Sequence, residues 1–149
     1  MLSTEEIAVQ ILDGSAPLAV VVAAYCADRR VNRRELGGRA GVGRSSTYAA
    51  LQDVRPRSAA KLARFLGYSG GAPARTSTAA RLARRLADEG LTLRAAVATW
   101  CAANGLREGD MGELMGRSST AWSSAKHRGG PTPGLEAAVR GLIGYGAGP

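Results

Sequence analysis

Side chains that bind metals or act as nucleophiles are scarce in this chain of 149 residues. There is one histidine, His127, and there are two cysteines, Cys26 and Cys101, with no CxxC pair. That excludes the usual zinc frameworks, so no metal site is expected. No Ser/His/Asp or Cys/His arrangement with supporting motifs occurs, and no glycine-rich phosphate loop is followed by a lysine. The chain is therefore not expected to be an enzyme, to need a cofactor or to hold a small-molecule ligand. Long apolar runs are missing too. The longest, PLAVVVAAYCA from Pro17, has eleven residues, against the roughly 18 to 20 that span a bilayer. It reads as a buried helix, and no membrane association is expected. The opening MLSTEEIAVQ carries acids where a secretory signal carries Lys or Arg, which points to a cytoplasmic protein.

Lysine is nearly absent as well: only Lys61 and Lys126 stand beside 18 arginines. With so much Ala and Gly, this composition fits GC-rich coding, yet the formal charge of +8 still favours an anionic partner. Placement says more than the total does. From Arg29 to Arg64 ten basic residues face only Glu35 and Asp53, whereas from Asn104 to Arg140 five basic residues face four acids.

What the chain does have is an internal repeat. The pentapeptide GRSST occurs at Gly43 to Thr47 and again at Gly116 to Thr120. It lies inside a longer correspondence, mostly at a shift of 75: STEEIAVQILDG from Ser3 parallels TAARLARRLADEG from Thr78, and Leu18, Val22, Tyr25 and Cys26 parallel Leu93, Val97, Trp100 and Cys101. The shift is 73 at GRSST and 77 where ARFLGYSGG from Ala63 faces RGLIGYGAG from Arg140.

Apolar positions recur at three and four residues and nowhere alternate, so each half reads as five helices and the fold class as all-α. Ser3 with Glu6 suits a capping box, Asp13-Gly14 a helix stop, and Pro17 the first turn of the next helix. Tyr25, Trp100 and both cysteines are expected in the core. The stretch SGGAPARTST from Ser69 has no apolar period and reads as a linker. The expected organisation is a first domain over 1–71, a linker over 72–77 and a second, divergent domain over 78–149.

Within the first half, VNRRELGGRAGVGRSSTYAALQDVRPRSAAKLARFLGY from Val31 resembles the helix-turn-helix of the lambda-repressor and Cro family. Arg33 opens the first helix, Gly37 sits where two helices approach, Gly41 and Val42 form the turn, and Thr47 and Leu51 point inward from the second helix. Leu62, Phe65 and Leu66 suit the helix that follows in the family. Asn32 with Glu35 suits a capping box.

The resemblance implies an all-α fold of two tandem five-helix units that bind double-stranded DNA, as repressors of phages and mobile elements do. A tight turn would hold the second helix so that its first residues enter a major groove. The expected contacts are Gly43, Arg44, Ser45, Ser46, Tyr48 and Ala49 there, with Arg44 reading guanine through its fork, and Arg33, Arg55 and Arg57 on phosphates. In the second half the turn is expected to be two residues shorter. Arg107, Arg117, Ser118, Ser119 and Trp122 are its nominal equivalents, Trp122 standing opposite Ala49. Lys126 and Arg128 follow in a longer loop, and His127 reads as a solvated loop residue.

The leading expectation is a transcriptional regulator, a repressor by resemblance, whose single chain reads a two-part site as a monomer, with a homodimer as the other state. An extended linker from Gly70 to Thr78 would reach about 27 Å at most, and adjacent turns of DNA lie about 34 Å apart. Inverted and direct half-sites both remain open on these grounds. The alternative is an antitoxin or adaptor whose first unit binds DNA and whose second binds a protein.

Overall fold

A computed structural model describes residues 1–43, 56–127 and 130–146, with Lys126 and His127 in backbone only. Every regular element among the described residues is a helix: α1 Thr4–Asp13, α2 Leu18–Arg29, α3 Arg33–Ala40, α4 Pro56–Leu66, α5 Thr78–Ala87, α6 Leu93–Ala103, α7 Asp110–Leu114, α8 Ala121–His127 and α9 Pro133–Ile143. Five lie in the second half and four in the first. The further helix expected after Gly43 falls in 44–55, outside the described residues.

Local chemistry sets most helix ends. Ser3 and Glu6 form the expected capping box on α1, as do Asn32 and Glu35 on α3. Accepting the Ser3 amide also holds the Glu6 carboxyl below the usual carboxylate range. Ser77, Thr92 and Thr132 cap α5, α6 and α9, each accepting from the backbone N–H three residues on. The Asp13-Gly14 stop appears as expected, with Gly14 left-handed at φ 84°. Pro17 is the N-cap of α2, just ahead of the first turn expected for it.

The two halves share one core. Ile7 and Ile11 of α1, Val21 and Val22 of α2, Leu82 and Leu86 of α5, and Val97 and Trp100 of α6 all belong to it. A helix as apolar as α2 must be covered on several sides, and α6 supplies the most extensive cover. Each fully buried valine or leucine here contributes about 1.5–3 kcal/mol. The linker is therefore not a tether between separate bodies. Ser77 ends it by capping α5, and a Cβ on Gly14 would overlap the Gly71 carbonyl, so the linker's approach lies against the end of α1.

The packing is reciprocal. At the shift of 75, α5 corresponds to α1 and α6 to α2; α1 lies on α5, α2 lies on α6, and the cross pairs α1 with α6 and α2 with α5 also touch. Equivalent surfaces meeting each other define an isologous, two-fold interface. The helix ends repeat the exchange. Gly67, after α4, packs on Ser77, the cap of α5, where an added Cβ would stand 2.5 Å from the serine Cβ; Gly144, after α9, packs on Ser3, the cap of α1, at 3.4 Å. Within each half, a buried tyrosine ties the end back to the loop before the second helix. Tyr68 donates to the Ala16 carbonyl at 2.6 Å and Tyr145 to the Leu91 carbonyl at 2.7 Å. Among the described residues no single helix is long and apolar enough to cross a membrane.

Candidate nucleic-acid interface

The candidate interface centres on two short helices joined by a glycine turn, and in the second half this element is described throughout. Helix α7 ends as Gly116 turns left-handed at φ 69°, and the Arg117 amide donates back to the Gly112 carbonyl at 2.7 Å. The first half ends α3 in the same way: Gly41 has φ 77°, and the Val42 amide donates to the Gly37 carbonyl at 2.7 Å. Such a left-handed position favours glycine because it has no Cβ.

This geometry corrects the register taken from the repeated pentapeptide. Gly116 stands where Gly41 stands, not Gly43, so the shift stays at 75 through the turn and the second turn is not shorter. The two extra residues enter later, before Pro133. Arg117 consequently occupies the place of Val42 in the turn, ahead of α8, and Ser119 the place of Arg44. Trp122 corresponds to Thr47, the position expected to point inward. It is 1% exposed and part of the core, so it does not present its ring to a partner, contrary to its expected place opposite Ala49. Its indole N–H has no acceptor among the described residues.

Close packing explains the small residue before the turn. A Cβ on Gly112 would overlap the Ser118 carbonyl oxygen and stand 2.7 Å from its carbon, so only glycine lets α7 lie this near the chain entering α8. Gly37, its counterpart, is buried in the same way. Beyond the turn, Arg117, Ser118, Ser119 and Thr120 are all exposed, and the Ser118 and Thr120 hydroxyls lie 3.5 Å apart. Arg107 is exposed in the loop before α7, where the Asp110 carboxylate accepts its backbone N–H at 2.9 Å.

In the first half, Arg33 is exposed at the start of α3, Gly43 is exposed after the turn, and Arg57 is exposed on α4. Arg44, Ser45, Ser46, Tyr48, Ala49 and Arg55 lie outside the described residues, as does Arg128. Lys126 lies in α8. The structure adds cations that the sequence reading did not single out. Arg39, Lys61 and Arg64 line a cleft of about 380 Å³ between the end of α3 and α4, with Phe65 on its wall and no carboxylate among the described residues of its lining. Arg39 is fixed there by donating to the Tyr25 hydroxyl at 3.0 Å, and Tyr25 packs edge-on against Phe65. The spacing of Lys61 and Arg64 puts both on one helix face; Arg39 joins them only through tertiary packing.

A second groove, of about 570 Å³, is lined from both halves, by Ala23, Cys26 and Ala27 and by their equivalents Ala98, Cys101 and Ala102. Neither cysteine forms a disulfide among the described residues. Burial pushes the Cys26 thiol up to about 11, with Arg33 pulling the other way. Among the described residues no cluster of His, Cys, Asp or Glu could hold a metal ion. Comparison with protein-family models, with curated proteins and with solved structures finds no match to this chain.

Proposed function

We propose that the chain is a sequence-specific double-stranded DNA-binding regulator whose two halves are helix-turn-helix units of the lambda-repressor type, read as one monomer on a two-part site. The observation that carries this reading is the turn at Gly116, with α7 and α8 held together over Gly112 and residues 117–120 exposed beside them. A helix pair fixed by a tight glycine turn is the arrangement that inserts a helix into a major groove. The same turn geometry at Gly41, followed by the arginine-rich stretch from Gly43, supports a stronger reading unit in the first half. The cleft of Arg39, Lys61 and Arg64, three cations with no carboxylate among its described lining residues, suits phosphate oxygens. Repression, rather than activation, rests on the resemblance alone.

A second reading has one observation in its favour. Glu113 and Asp110 lie on α7 and Glu108 just before it, so that half is richer in acid there than the first and suits a protein partner as in an antitoxin or adaptor. Selection from random duplexes at about 0.15 M salt, with the mass of the complex recorded, separates the two. The DNA-reading monomer expects one chain per duplex and two enriched blocks. A single block, or two chains per duplex, favours the adaptor, and no enrichment of any sequence refutes DNA reading.

A further inference from the structure

We infer that the two units engage a duplex as an inverted but unequal pair, in which Arg117 holds a phosphate and reads no base. This rests on the DNA reading above and specifies its site. Orientation follows from the interface. Equivalent helices meet each other, α1 with α5 and α2 with α6, and both cross pairs are present; Gly67 on Ser77 answers Gly144 on Ser3. Only a two-fold axis relates two bodies in this way, and two-fold-related reading elements face half-sites that run in opposite directions on the duplex. A direct repeat would require one unit to turn end over end, against a shared core that includes Ile7, Val22, Leu86 and Trp100.

Inequality follows from the turn. Arg117 donates its amide to Gly112 and sits in the turn itself, one place after the left-handed glycine, where the other half has the buried Val42. Its side chain is exposed there. The fork that reads guanine must be aimed along a base edge from a helix inside the groove; an arginine on the turn outside α8 is placed for the backbone instead. The place that aligns with Arg44 is taken by Ser119, which lies just ahead of α8 and has no fork. The second half-site is therefore read weakly, and the chain binds its site in one direction only, unlike a homodimer, which cannot distinguish its two ends.

The test uses the full chain and synthetic duplexes built from the selected site, with the second block inverted, set in direct repeat, or randomised. Binding is followed by fluorescence anisotropy across a salt series. The inverted duplex is expected to bind about tenfold or more tighter than the direct one. Arg117→Ala should lower affinity for specific and random duplexes by the same factor and reduce the salt slope by about one. Ser119→Arg should raise affinity for a fully symmetric inverted site. A preference for the direct arrangement, two equally strong selected blocks, or a loss on Arg117→Ala confined to one base position would each overturn the inference while leaving DNA binding intact. Failure to enrich any duplex would overturn both readings, and it would be seen at the selection stage.

Discussion

Replacing Gly112 by alanine sets two physical effects of opposite sign against each other. Gly112 lies inside α7 with ordinary helical backbone, so alanine there gains about 1 kcal/mol of helix propensity. Against this, the new Cβ would overlap the Ser118 carbonyl oxygen, 2.7 Å from its carbon and 3.1 Å from the Ser119 Cα. Carbon pairs rest at about 3.5–4.0 Å, so the backbone entering α8 must withdraw by about 1 Å, and Trp122 sits in the core at the start of that helix. Overpacking of this kind costs about 1–3 kcal/mol, occasionally more, and here the obstacle is backbone rather than a side chain that can swing aside. The expected net loss is about 2 kcal/mol, or about 4–8 °C in Tm for a chain of this size. Gly38→Ala in α3 and Gly141→Ala in α9 are the controls, since neither Cβ would meet any described residue within 4 Å; each should stabilise by about 0.4–1 kcal/mol. The assay is thermal and urea unfolding of the three variants beside the parent. A Gly112→Ala protein as stable as the parent would refute the close approach of α7 to the turn, and with it the helix-turn-helix geometry.

The remaining expectations are simpler. Tyr145→Phe should destabilise by about 1–2 kcal/mol by leaving the Leu91 carbonyl unpaired, and Tyr68→Phe by a similar amount at Ala16, both measured by urea unfolding. Burial raises both phenols and the Cys26 thiol, so the folded chain keeps these protons where the unfolded chain sheds them. Their stabilisation is complete below the unfolded pKa and declines as pH rises, beginning near pH 9 for the thiol and near 10 for the phenols; Cys26→Ala should flatten the first part of a stability profile from pH 8 to 11. With its pKa at about 11, Cys26 should react with iodoacetamide at pH 8 roughly a hundredfold more slowly than a thiol at 9.0, as peptide mass mapping can show. Neutralising Arg39, Lys61 and Arg64 together should lower the slope of log affinity against log salt by about three on any duplex, without changing the selected sequence.

Features fixed by a few neighbouring residues were legible in the sequence. The boxes at Ser3 with Glu6 and Asn32 with Glu35, the stop at Gly14 and the apolar faces of Ile7 with Ile11 and Leu82 with Leu86 all follow from short-range chemistry. The register of the second turn did not. Identity over GRSST drew the alignment to a shift of 73, whereas the chain is set by which glycine adopts the left-handed conformation, and that is Gly116 in the place of Gly41. Had the repeat been aligned on Gly37 and Gly112, which must be small for a tertiary reason, Trp122 would have fallen on an inward position beside Thr47. What covers α1 and α2 could not be read from their periodicity either. An apolar stripe states that a face is buried, and only the fold reveals that its cover is the equivalent stripe of the other half.

The exchange of ends also bears on how this protein is made. The Asn104 side chain brackets Leu2, accepting from its N–H at 2.7 Å and donating to its carbonyl at 3.1 Å, and the Thr4 hydroxyl donates to the Gly144 carbonyl at 3.2 Å. The start of α1 is thus completed by residues more than a hundred positions further along the chain. Until α9 has emerged, α1 lacks its cover at Gly144, and until α5 and α6 have emerged the apolar faces of α1 and α2 lie open to solvent or to another nascent copy. Synthesis of the first half therefore leaves α1 and α2 uncovered until the helices of the second half follow, and the same exposed stripes on two neighbouring chains are an invitation to swap halves between them.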